Sequence, residues 1–211
     1  MSQAAAEETA GGLWSGGTSP YKVGHKKLGM WLFILSDSLT FSALLFGYSY
    51  VRIATPNWPK PFSFYPSVIY ATVMTACLLS SSLTMVMAVN ASAKGNRSGV
   101  VKWIIGTIIG GSAFLILHIR EWMHLIDEGM RPSGTPAEWG PSVPLFGGTF
   151  FTITGLHMFH VLTGVIYLAI IAARKKSTHE DVEICGLYWH FVDLVWMFVF
   201  PLIYLLSIKP S

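Results

Sequence analysis

The sequence predicts an all-α fold, a polytopic membrane protein built as a bundle of five transmembrane helices. Three observations carry that prediction. Of 211 residues, 52% are hydrophobic and only 12% charged, about half the charge of an ordinary soluble domain. Mean hydropathy is +0.52, so water is a poor solvent for most of this surface. Five apolar segments reach the roughly 20 residues needed to cross a hydrocarbon core.

Residues 1–27 read as a cytoplasmic disordered tail. Its first stretch, Met1 to Pro20, holds Glu7, Glu8 and several Gly and Ala, with no basic residue. A cleavable leader needs a positive start and an apolar run, so the first span is expected to serve as its own insertion signal. One membrane domain, 28–208, follows, with spans at about 28–52, 66–91, 101–122, 145–173 and 187–208. Short connectors rich in Pro, Gly and charge separate them, among them Thr55-Pro56-Asn57-Trp58-Pro59. The connector 127–144 is the longest. Gly106, Gly110 and Gly111 offer a small-residue face on the third span, and Ser80, Ser81, Ser82 and Thr84 a hydroxyl-rich one on the second. Both suit close packing in lipid. Pro201 is expected to bend the last span.

Basic residues set the orientation. Lys22, Lys26, Lys27, Lys94, Arg97, Lys102, Arg174, Lys175 and Lys176 fall in the tail, the second connector and the fourth, nine of the 14 Lys and Arg. The amino terminus is therefore expected in the cytoplasm and the carboxyl terminus outside. A net charge of +3 is too small to suggest nucleic acid. Cys77 and Cys185 read as inert thiols, too far apart for a disulfide framework or zinc knuckle.

Charged groups at membrane depth cost several kcal/mol, so each needs a partner or a purpose. Asp37 lies nine residues into the first span, roughly 13 Å deep at the helical rise. It reads either as a proton-linked or gas-path acid, or as a neutral carboxyl bonded to another helix. His157 and His160 stand three apart and point to nearly one side. Such a pair binds metal or haem if further ligands converge; the plainer reading is two neutral imidazoles bonded between helices. His190 and Asp193 repeat the spacing on the fifth span, with Glu183 two turns below. They read as a proton relay or as an internal ion pair locking that helix to its neighbours. His118, Arg120, Glu121 and His124 end the third span and read as interfacial, with Trp122 as anchor and Arg120 reaching outward. Glu121 is the exception, because a carboxylate cannot reach far.

Three segments resemble the cytochrome c oxidase subunit III family. The first is Trp31-Leu32-Phe33-Ile34-Leu35-Ser36-Asp37, followed by Phe41 and Tyr48. The second runs Gly148-Thr149-Phe150-Phe151-Thr152-Ile153-Thr154-Gly155-Leu156-His157-Met158-Phe159-His160-Val161. The third is Leu187-Tyr188-Trp189-His190-Phe191-Val192-Asp193-Leu194-Val195-Trp196. The likeness covers about Lys27 to Ser207 and is to the five-span form of the family. Asp37 stands where the family usually has glutamate, and the 127–144 connector is longer than usual.

What the resemblance implies is a non-redox accessory subunit of a haem-copper terminal oxidase, working in aerobic respiration in the bacterial inner membrane. Haem and copper would belong to the catalytic subunit I, with subunit II and a small subunit IV as further partners. This chain would bind phospholipid and support proton uptake and oxygen access. Asp37, Glu121, His157, Glu183, His190 and Asp193 match family polar sites, with roles in packing, lipid contact or proton buffering. Two other readings compete. One is a standalone membrane metalloenzyme using His157, His160, His190 and Asp193. The other is a small proton-coupled carrier, whose usual internal repeats and broken helices are not found.

Overall fold

The computed structural model describes residues 25–136, 144–174 and 177–209. Expectations for the tail up to residue 24, for Lys175 and Lys176, and for the middle of the 127–144 connector fall outside the described residues. Five helices are long and apolar enough to cross a membrane. They are α1 (His25–Ala54), α2 (Ile69–Ala93), α3 (Arg97–Asp127), α4 (Pro144–Ala173) and α5 (His179–Val199). A wide turn at Phe64–Val68 leads into α2, and Phe200–Tyr204 and Leu205–Ser207 continue α5. Among the described residues, the only β-type pairings are the isolated bridges Phe62–Ile208 and Arg131–Gly134.

Most helices outrun the apolar stretches that announce them, because their ends are fixed by capping. Helix α5 begins at His179, ahead of the expected 187. Thr178 accepts a hydrogen bond from the Asp181 N–H at 3.2 Å, and the Asp181 carboxylate accepts from the Thr178 N–H at 3.1 Å. This reciprocal box supports two polar turns before the apolar run starts. Helix α3 starts behind Asn96, whose side chain accepts from the Gly99 N–H, and runs to Asp127. Gly95 and Gly129 end α2 and α3 at φ of +67° and +93°, where a side chain would be strained. Behind them, the N–H of Asn96 reaches the Ala91 carbonyl at 3.0 Å and that of Met130 the Leu125 carbonyl at 2.9 Å. Regular α-helix ends at Val199 and gives way to the wider turns at Phe200–Tyr204. Pro201 supplies no N–H to the ladder there, so the expected disturbance of the last span is found.

Small residues let the helices approach. A Cβ at Gly110 would lie 2.7 Å from the Ser81 Cβ and 3.1 Å from the Cys77 carbonyl oxygen of α2. Gly111 of α3 and Gly164 of α4 both face the Trp189 ring of α5. Hydroxyls then satisfy the polar atoms that this closeness buries. Thr84 meets Thr107 at 2.9 Å, while the indole N–H groups of Trp189 and Trp196 donate to Ser81 at 3.1 Å and Thr75 at 2.9 Å. In lipid such bonds contribute on the order of 0.6–2 kcal/mol each.

Helix α1 is peripheral, and only Phe41 and Tyr48 are fully buried along it. Polar contacts hold it at both ends. Lys26 and Lys27 pair with Asp181 at 3.1 Å and Glu183 at 2.6 Å. At the other end, Arg52 donates to the Leu206 carbonyl at 2.8 Å, and the Tyr48 and Ser207 hydroxyls meet at 3.3 Å. Arg97 closes the lysine-rich end of the bundle, donating to the carbonyls of Ile171, Ala172 and Arg174 and to the Ser177 hydroxyl.

Gly110→Ala is expected to destabilise the bundle by roughly 1–3 kcal/mol through overpacking, read as a lower melting temperature in detergent. Gly29→Ala, with nothing within 4 Å of its Cβ, should leave the melting temperature unchanged or raise it.

Candidate functional site

The intramembrane polar residues sort into separate groups, each set by which helix faces which. Asp37 on α1 and His160 on α4 meet, with His160 Nε2 3.3 Å from Asp37 Oδ2. The other ring nitrogen, Nδ1, lies 2.8 Å from the Leu156 carbonyl of its own helix. A carbonyl only accepts, so Nδ1 carries hydrogen. That leaves Nε2 as the ring nitrogen turned toward the Asp37 carboxyl. The contact is close but not aligned as a hydrogen bond, leaving Oδ2 without a conventional donor. Phe41 covers the site, its ring centroid 5.4 Å from that of His160. Tyr188 donates to the His160 carbonyl at 3.0 Å and meets the Thr163 hydroxyl at 2.8 Å. Asp37 thus has a partner on another helix, the arrangement expected of a structural carboxyl, while the meeting of two ionisable groups keeps a proton-linked role open.

His157 lies one turn from His160 yet serves a different group. Its ring stacks on Trp196 of α5 at 5.1 Å and meets Phe114 of α3 edge-on at 5.6 Å. His118 contacts the same two aromatic rings, at 5.4 Å and 5.5 Å. Both histidines are fully buried, and their ring nitrogens have no hydrogen-bond partner among the described residues. Beyond them, Glu121 Oε2 sits 4.0 Å from His118 Nδ1 and accepts from the Tyr204 hydroxyl at 2.6 Å. The interfacial reading of His118 is therefore corrected: α3 continues nine residues past it to Asp127, which draws the histidine into the core. Trp122 is likewise more than an interfacial anchor, since its indole N–H donates to Thr154 of α4 at 3.2 Å. Arg120 and His124 are exposed, as expected.

His190 and Asp193 form no ion pair. His190 Nδ1 bonds to the Ser82 hydroxyl of α2 at 2.6 Å, and the buried Asp193 carboxyl faces the same serine. Both side chains turn toward α2, so the lock between α5 and its neighbour runs through Ser82 and not along one helix. Glu183 does not extend this stripe into the membrane; it ends on Lys27, half-exposed, at 2.6 Å. Isolated surface pairs of that kind contribute about 0–1 kcal/mol.

Sequence spacing could not single out His118, Ser82, Tyr204 and Trp196 as members of these groups. The signals available were Asn96 and Gly129, which fix the true length of α3, and the three-residue spacing of His118 and Glu121. Among the described residues, no group of three or more His, Cys, Asp or Glu side chains converges as a metal-binding set. His157, His160, His190 and Asp193 instead face three different neighbours. The arrangement suits proton sharing and interhelical packing.

A family model described as cytochrome c oxidase subunit III matches residues 10–208. The cytochrome bo(3) ubiquinol oxidase subunit 3 of Pseudomonas aeruginosa is 30% identical over 190 residues, covering 87% of this chain and 86% of that one. The quinol oxidase subunit 3 of Bacillus spizizenii is 32% identical over 187 residues, with 86% and 87% covered. The cytochrome c oxidase subunit 3 of Corynebacterium diphtheriae is 33% identical over 183 residues, with 82% and 84% covered. Neither the metalloenzyme nor the carrier reading finds support in these likenesses. With five membrane-spanning helices and a family match over nearly the whole chain, this protein belongs to the cytochrome c oxidase subunit III family and is an accessory subunit of a haem-copper terminal oxidase.

Proposed function

We propose that this chain packs against the haem- and copper-bearing subunit I in the bacterial inner membrane, alongside subunit II and a small subunit IV. Its amino terminus faces the cytoplasm and its carboxyl terminus the outside, and it holds phospholipid and supports proton uptake and oxygen access. The observation that carries the proton role is the Asp37–His160 contact at 3.3 Å. It joins two ionisable groups within the spans, between the peripheral α1 and α4. There the pair serves as a proton buffer. The apolar side chains of α1 support lipid or subunit contact, because Leu32, Leu35, Leu39 and Phe46 are 59%, 61%, 67% and 76% exposed. His157, His118, Glu121, His190 and Asp193 serve packing, each facing a neighbouring helix. Glu183 ties α1 to α5.

Two outcomes test this reading. Purification in mild detergent through a tag on this chain is expected to yield a haem spectrum only together with a larger partner subunit. Stoichiometric iron or copper on the isolated chain would overturn the accessory role. Asp37→Asn removes the ionisable carboxyl but keeps the shape, so the complex should assemble while proton-pumping yield or turnover lifetime falls several-fold. Asp37→Glu should retain both. If Asp37→Asn matches the parent in both assays, the pair is a packing contact only.

A further inference from the structure

At the end of the bundle that carries Lys209, a cleft of about 850 Å³ opens between the start of α2, the last turns of α3 and the carboxyl-terminal segment. Arg120, Asp127, Lys209 and the His124–Glu128 pair, 3.5 Å apart, line it on its exposed side. Glu121 is its most buried charged group, 8% exposed, and Oε2 accepts from the Tyr204 hydroxyl. Behind Glu121, polar atoms without partners fall into one file. Seven buried side-chain nitrogen or oxygen atoms have no hydrogen-bond partner among the described residues. Five of them are both ring nitrogens of His118, both of His157, and Asp37 Oδ2. Buried polar groups are normally satisfied, and leaving one bare costs about 1–3 kcal/mol. Their concentration here needs a cause.

Depth puts these groups in order. Counted from the Lys209 end at the helical rise, Glu121 and His118 lie about 9 and 14 Å along α3, and His157 and His160 about 20 and 24 Å along α4. His118 Nδ1 is 4.0 Å from Glu121 Oε2, a gap that one water closes with two hydrogen bonds of about 2.8 Å. His118 and His157 then lean on the same two rings, Phe114 and Trp196. Trp196 stacks on the face of His157 at an interplanar angle of 28°. Ring nitrogens point outward from the rim, so stacking covers neither of them. Past His157, Phe41 touches both His157 and His160, at 6.5 Å and 5.4 Å. Asp37 Oδ2 lies 3.3 Å from His160 Nε2 at the inner end of the file.

We propose that His118 and His157 hold internal water molecules and, with Glu121, form a proton line joining the cleft at the Lys209 end to the Asp37–His160 pair. A buried water makes two to four hydrogen bonds, and an uncharged imidazole offers one donor and one acceptor. Each ring therefore anchors water and can pass a proton on. A proton entering at one nitrogen releases the proton on the other to the next water, and no net charge stays on the ring. The return passage restores the starting tautomer, which suits a buffer that takes and gives back along one route. This inference rests on the buffering role proposed above and adds the face with which the pair exchanges protons.

The test follows Asp37 by infrared difference spectroscopy in the tagged complex, reconstituted into vesicles sorted by which face carries the tag. Its signal is identified by loss in Asp37→Asn. After a pH step at the Lys209 face the signal is expected to respond about tenfold faster than after the same step at the lysine-rich face. His118→Phe and His157→Phe keep an aromatic ring without its nitrogens, so each should slow that response about tenfold at constant haem content. Water O–H bands that shift in heavy-oxygen water should weaken in both variants. An equally fast response from the lysine-rich face, unchanged rates in both variants, or unchanged water bands overturns the line. Should the Phe variants fail to assemble, Glu121→Gln, which still accepts from Tyr204, is expected to give the same slowing; an unchanged rate overturns the proposal. An Asp37 signal that responds by this route while Asp37→Asn leaves pumping yield and turnover lifetime intact would sink the buffering role and keep the line.

Discussion

The controlling constraint in this structure is that a helix bundle in lipid must satisfy its polar side chains from within. Apolar burial offers little drive when the surroundings are themselves hydrocarbon, so close approach and interhelical hydrogen bonds hold the helices. Gly110 and Gly111 remove the atoms that would keep α3 from α2 and α5. That closeness brings Ser81 and Thr75 within reach of the indoles of Trp189 and Trp196. Each large aromatic of α5 can therefore enter the core without stranding its N–H. The same logic places Tyr204 on Glu121 and Ser82 on His190.

The placement of α1 follows from the same constraint acting unevenly. The helix contributes few buried apolar residues, and its polar contacts come at three levels. Lysines meet carboxylates at one end, Asp37 meets His160 in the middle, and Arg52 and Tyr48 meet the carboxyl-terminal segment at the other. The surface pairs are individually weak. A helix held mainly by such contacts leaves its apolar face to lipid or a partner subunit, as an accessory subunit requires. The ionisable pair with the strongest case for function thus sits on the element least committed to the core.

His118 and His157 present the opposite situation. They share Phe114 and Trp196 as ring neighbours and are fully buried. Aromatic faces and edges surround them, and the nearest carboxyl, Glu121, is already taken up by Tyr204. The core around α3, α4 and α5 is in this sense a stack of aromatic contacts with imidazoles inserted.

The sequence by itself determined the number of spans, the membrane class and the small-residue faces, because these are properties of length, composition and periodicity along one helix. It also carried the family resemblance in the runs around Asp37, His157 and His190. Helix ends were partly legible: Gly95, Gly129 and the Thr178–Asp181 box mark them by local chemistry, whereas hydropathy alone cuts α3 and α5 short. Partners were not legible. Spacing puts His190 and Asp193 on one face of α5, yet only the packing of α2 against that face turns both toward Ser82. Spacing likewise groups His157 with His160, while the tertiary arrangement sends one to Trp196 and the other to Asp37. A helix period fixes direction about one axis; which neighbour waits in that direction depends on the relative placement of all five.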